Sequence, residues 1–195
     1  MTQIHRDRLR YLSHSLSAPV IATPVFVVLA LLEATAALYV ILSIVFATIV
    51  PIIGIARSAR LEGLDYDIPE RSARARPFMI AITSYLVGFL FLMISKAPVL
   101  LSGLMLAYCI NTTVMFVITL SWKISVHAGG VTGPLGFLVF KLGLAWGFLY
   151  LLVIPVGMLR IRLGQHTLLQ VLAGAVVSGA LTWVQIFFLV PLIPT

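Results

Sequence analysis

Two histidines carry the reactive chemistry of this chain. His127 lies in the polar run WKISVHAGG (122–130) and His166 in RIRLGQHTLLQ (160–170), each within six residues of a basic side chain and at the edge of a long apolar stretch. A third run, DYDIPERSARARPF (65–78), presents Arg71, Arg74 and Arg76 just ahead of Pro77. These types suit phosphoryl transfer. Guanidinium forks grip equatorial phosphate oxygens. One imidazole can attack phosphorus while a second protonates the leaving oxygen. Stabilising the developing charge is most of the remaining work. No metal or other cofactor is required, and the acids are placed accordingly. The six carboxylates are Asp7, Glu33, Glu62, Asp65, Asp67 and Glu70, and none follows Glu70, which argues against a magnesium site built from two helices. Taken singly, an arginine at a span end is usually a topology anchor, and a lone boundary histidine usually packs. Grouped ionisable side chains at membrane depth are costly and mark functional sites. His166 also falls just before the last apolar helix, whose N-terminal N–H groups favour an anion.

The elements that must position these side chains are membrane helices. Of the 195 residues, 61% are hydrophobic and 10% charged, against about a quarter charged in soluble domains. The apolar runs are continuous rather than alternating, which argues against a barrel. The expectation is an all-α integral membrane protein of the cell membrane: one transmembrane domain over 1–195, a bundle of about six helices, with a polar segment at 1–17 and a motif-bearing loop at 56–77. With no small-residue cleavage site after a short apolar core, the first span reads as a retained anchor. The net charge of +7 sits at span ends, where lipid headgroups and topology signals account for it better than nucleic acid does. The lone Cys109 allows no internal disulfide.

Ala18–Ile55 is long enough for a helical hairpin, and 78–95 and 99–121 are two more spans joined at Lys96–Pro98. The last span is 167–192, where Gly174 with Ser178 and Ala175 with Gly179 have the spacing for close helix packing. The stretch 131–159 decides the site. As one span it would place Arg160 and His166 on the face opposite Lys123 and His127. As two arms turning near Lys141–Trp146 it returns them to the same face. Arms of about 14 residues reach only about 21 Å, short for a core of about 30 Å, but the chemistry needs the second arrangement. Most Lys and Arg then share one face, which the positive-inside tendency makes cytoplasmic.

The three runs resemble the motifs of the type 2 phosphatidic acid phosphatase superfamily, KxxxxxxRP, PSGH and SRxxxxxHxxxD. RP stands as Arg76-Pro77, the second motif as Ile124-Ser125-Val126-His127, and the third as Arg160 followed after five residues by His166. The resemblance covers roughly residues 65–170. It implies a phosphohistidine nucleophile at His166 and an acid–base at His127. It implies phosphate ligands at Arg76, Arg160 and Ser125, all gathered at one membrane face, and metal-free hydrolysis of a lipid phosphate or prenyl pyrophosphate. The pattern departs in three places. Pro69 stands where the motif has lysine, so Arg71 or Lys123 is the candidate for that charge. Val126 replaces glycine. Gln170 replaces the aspartate that orients the nucleophile; it can accept a hydrogen bond from the imidazole but lacks the charge, so either turnover is slow or Asp65, Asp67 or Glu70 of the 62–70 loop supplies it. Two other readings compete: a non-catalytic lipid-phosphate binder or transporter, and a polyprenyl transferase, the latter lacking a second acidic motif.

Overall fold

A computed structural model describes residues 8, 9, 11–13, 15–61 and 75–194. Every regular element among them is helical. Helix α1 is Ala18–Leu32. Helix α2 runs as Ala37–Ile44, a π-helical turn Val45–Ile49, and Val50–Leu61. Helices α3 and α4 are Ala75–Ile94 and Val99–Ser121, and α5 is Val126–Leu142. Helix α6 begins as a 3-10 stretch, Leu144–Leu152, and continues as Val153–Arg162. Helix α7 is Leu168–Phe188, with a short 3-10 turn at Val190–Leu192 behind it. Five of these elements are long and apolar enough to cross a membrane, and α1 and α5 are shorter apolar helices. The protein is a multi-pass helical membrane bundle. The expected 56–77 loop is shorter than the sequence suggests, because α2 carries on through Arg57 and Arg60 and α3 begins at Ala75, ahead of Pro77.

The stretch 131–159 doubles back. Helix α5 stops at Gly143, whose φ of 102° is open to glycine at little cost, and α6 starts immediately after it. Two features resolve the length problem. The first nine residues of α6 form a 3-10 helix, which rises about 2 Å per residue against 1.5 Å. The ten α-helical residues that follow bring the reach to about 33 Å. Helix α5 begins earlier than the apolar run suggests, and twelve residues from Ala128 to Val139 are buried in an unbroken stretch. A helix enclosed by protein is not held to the bilayer thickness that a lipid-facing helix must match.

Small residues let α5 into the centre. A Cβ on Gly174 of α7 would lie 2.3 Å from the Ser125 carbonyl oxygen, and one on Gly133 would lie 2.6 Å from Ser178 Oγ. The crossing is also bonded. Ser178 Oγ donates to the Gly129 carbonyl (2.9 Å) and Thr132 Oγ1 to the Ala175 carbonyl (2.7 Å). From α4, Asn111 Nδ2 donates to Thr182 Oγ1 (2.8 Å) and Oδ1 accepts from Gln185 Nε2 (2.8 Å). Such interhelical bonds contribute about 0.6–2 kcal/mol each in a membrane. The stripe Gly174–Ser178 is therefore packing, as its spacing suggests. The π-helical turn in α2 has its Phe46 carbonyl bonded by Ser84 Oγ (2.6 Å), so the irregular backbone is satisfied internally.

Candidate active site

The Ser125 N–H donates to the Gln170 carbonyl of α7 (3.2 Å), so the first turn of α5 lies level with the first turns of α7. The Ser125 side chain caps α5, accepting from the Ala128 N–H (3.4 Å), and is fully buried. His127, two residues on, lies in that first turn.

Arg160 and His166 are tied together by a helix stop. Gly164, with φ of 68°, closes α6: its N–H bonds the Ile161 carbonyl (2.9 Å) and the Gln165 N–H bonds the Arg160 carbonyl (3.0 Å). This paired pattern is the Schellman motif. The His166 N–H also reaches the Arg160 carbonyl (3.4 Å). The five-residue spacing between Arg160 and His166 is thus the length of one closed turn. Helix α7 then starts with a capping box: Thr167 Oγ1 accepts from the Gln170 N–H (3.3 Å), and Gln170 Oε1 accepts from the Thr167 N–H (3.1 Å).

The capping box sets the chemistry of His166. The bond from Thr167 identifies the Gln170 amide oxygen as the atom that also meets His166 Nδ1, at 3.2 Å. An oxygen acceptor requires a proton on Nδ1. In the neutral ring the lone pair is then on Nε2, the tautomer a nucleophilic histidine needs.

His127, Arg160 and His166 line one cavity of about 150 Å³. Arg160 is 1% exposed and His166 6%. One arm of the guanidinium donates to Ser13 Oγ (2.6 Å). The rest of the wall comes from Ser17, Ala18 and Pro19 of the α1 start, Ile55, Thr112 and Val126, and one face of α3, Pro77, Phe78, Ala81 and Tyr85. From Pro77 to Tyr85 that face descends about 12 Å into the bundle, and it is largely apolar. Arg76 is exposed immediately before Pro77, and Lys123 stands in the turn before Ser125; neither is part of the lining. Ser125 and Gln170 lie behind the wall, one as a cap and one as the support of His166. Arg71, Arg74, Asp65, Asp67 and Glu70 fall outside the described residues.

Among the described residues, the helix ends at the cavity favour an anion. Four helices, α1, α3, α5 and α7, start at it, and each N-terminus carries about half a positive charge. Helices α2 and α4 run on well past the cavity, and the last carbonyls of α6 are taken up by the turn at Gly164. Glu33 is the sole acid among the described residues; it lies at the other end of α1, in an ion pair with Lys141 of α5. Ser13 and Ser17 are the site residues that sequence reasoning missed. Their signal was local: Ser17 followed by Ala18-Pro19 has the form of a helix start, in a segment read only as polar. Comparison of the chain with family models, curated proteins and solved structures returns no match.

Proposed function

We propose that the protein is a metal-independent phosphatase of lipid phosphates or polyprenyl pyrophosphates in the cell membrane, a divergent relative of the type 2 phosphatidic acid phosphatases. The observation that carries this reading is the meeting of three sequence-distant residues, His127, Arg160 and His166, on one buried cavity with no carboxylate among its described lining residues. In the proposed reaction His166 Nε2 attacks phosphorus, the bond from phosphorus to the leaving oxygen breaks, and His127 gives that oxygen a proton. His127 then takes a proton from water, whose oxygen attacks the phosphohistidine, and inorganic phosphate leaves with His166 restored. Arg160 and the helix N-termini stabilise the equatorial oxygens throughout. Arg76 and Lys123 stand nearby as attractors for an incoming anion. The apolar face of α3 suits an amphiphile, whose chain follows Phe78, Ala81 and Tyr85 while its phosphate stays with the histidines.

The test is turnover. Purified protein in excess chelator is expected to release phosphate from a lipid phosphate or a prenyl pyrophosphate, and His166→Ala to abolish release. Loss of activity on chelation would favour the transferase. Tight binding without turnover would favour a lipid-phosphate binder, the reading to which the uncharged Gln170 points.

A further inference from the structure

We infer that two serines ahead of α1 form part of the anion site: the Ser17 hydroxyl donates to a phosphate oxygen, and Ser13 holds Arg160 in place beside it. This rests on reading the cavity as a phosphate site.

Ser17 lines the cavity and is 4% exposed, yet its Oγ has no hydrogen-bond partner among the described residues. A buried hydroxyl is normally bonded. A serine preceding a helix normally spends its oxygen on the N–H of the second or third helical residue. Here the second is Pro19, which has no N–H, and the third is Val20, whose N–H goes instead to the Ser17 backbone carbonyl (3.0 Å). The local sequence thus releases the side chain from capping while keeping it buried and facing the cavity. A hydroxyl there is neutral, can turn its proton toward an anion, and works with the positive end of the 15-residue α1. One turn earlier, Ser13 is 1% exposed and accepts from Arg160. That bond orients the guanidinium plane on the same cavity wall. The ligand implied is the terminal phosphate of a monoester or pyrophosphate, met by Ser17, Arg160 and the α1 start together.

The experiment compares Ser17→Ala and Ser17→Thr with the unmodified full-length protein in detergent. It reads the thermal shift produced by inorganic phosphate and the kcat/KM for a lipid phosphate. Ser17→Ala removes no hydrogen bond made among the described residues, so its melting temperature without phosphate should be no lower than that of the parent. Its phosphate affinity and kcat/KM should fall about ten- to a hundredfold, the loss expected for a hydrogen bond to a charged group, and Ser17→Thr should recover most of both. Parental affinity and kcat/KM in Ser17→Ala, with turnover lost in His166→Ala, overturn this inference alone. Phosphate binding that depends on Ser17, without turnover in the parent, sustains it and overturns the hydrolytic reading. A parent protein that takes up no phosphate overturns both.

Discussion

The residue on which the site's chemistry turns is Gln170. A carboxylate at this position would both orient the imidazole and stabilise the imidazolium; the amide does only the first. It does so while serving as half of a capping box, so one side chain fixes the start of α7 and the tautomer of His166. The two roles are separable. Gln170→Ala is expected to lower kcat at least about tenfold, the worth of one hydrogen bond of about 1.4 kcal/mol. Gln170→Glu should match or exceed the parent, since it adds the charge while keeping an acceptor for both donors. Thr167→Ala removes only the other half of the box. It should cost about 1 kcal/mol of stability, visible in thermal unfolding, with KM unchanged. If Gln170→Ala and Thr167→Ala affected turnover equally, the orienting role of Gln170 would be lost.

At the scale of elements, position depends on how α5 and α6 stop and turn. The sequence makes the need for a reversal between 131 and 159 visible, because the chemistry of 122–130 and 160–170 must meet. It does not show how so short a stretch can do it. The answer lies in a 3-10 stretch with no distinctive signature and in an α5 that starts at Val126, inside what reads as a polar cluster. Ser125 shows the same limit: the motif marks it as a phosphate ligand, and the structure places it fully buried as the cap of α5, outside the residues that line the cavity. Gly143 and Gly174 test the two kinds of constraint. A Cβ at Gly143 meets nothing within 4 Å and faces only an unfavourable backbone conformation, so Gly143→Ala should cost about 1–3 kcal/mol. At Gly174 it would strike the Ser125 carbonyl, which belongs to backbone. Gly174→Ala should therefore destabilise by about 1–3 kcal/mol or more and displace His127, lowering turnover further than the loss of stability explains. Unfolding in detergent, paired with activity, checks both.

At the scale of the whole molecule, the fold class was readable from composition alone, because no soluble core could bury so much apolar surface. The gathering of His127, Arg160 and His166 was readable from their order and spacing. The contribution of Ser13 and Ser17 was not, since nothing in a short polar segment indicates that Ser13 bonds a guanidinium more than a hundred residues away in sequence. The bundle has a polarity that labelling can test: with Cys109 replaced, cysteines placed at Lys123 and Arg162 should react from one side of a sealed vesicle and those at Lys96 and Lys141 from the other. Reaction of the cysteines at Lys123 and Arg162 from opposite sides would contradict the reversal at Gly143. The central claim, that these residues form a phosphohistidine site, is tested most directly by trapping the intermediate. Protein quenched during turnover of a phosphate-labelled lipid substrate in excess chelator should carry label in an acid-labile linkage at His166, absent from His166→Ala. Release of phosphate with no such adduct, or an adduct that persists in His166→Ala, would contradict it.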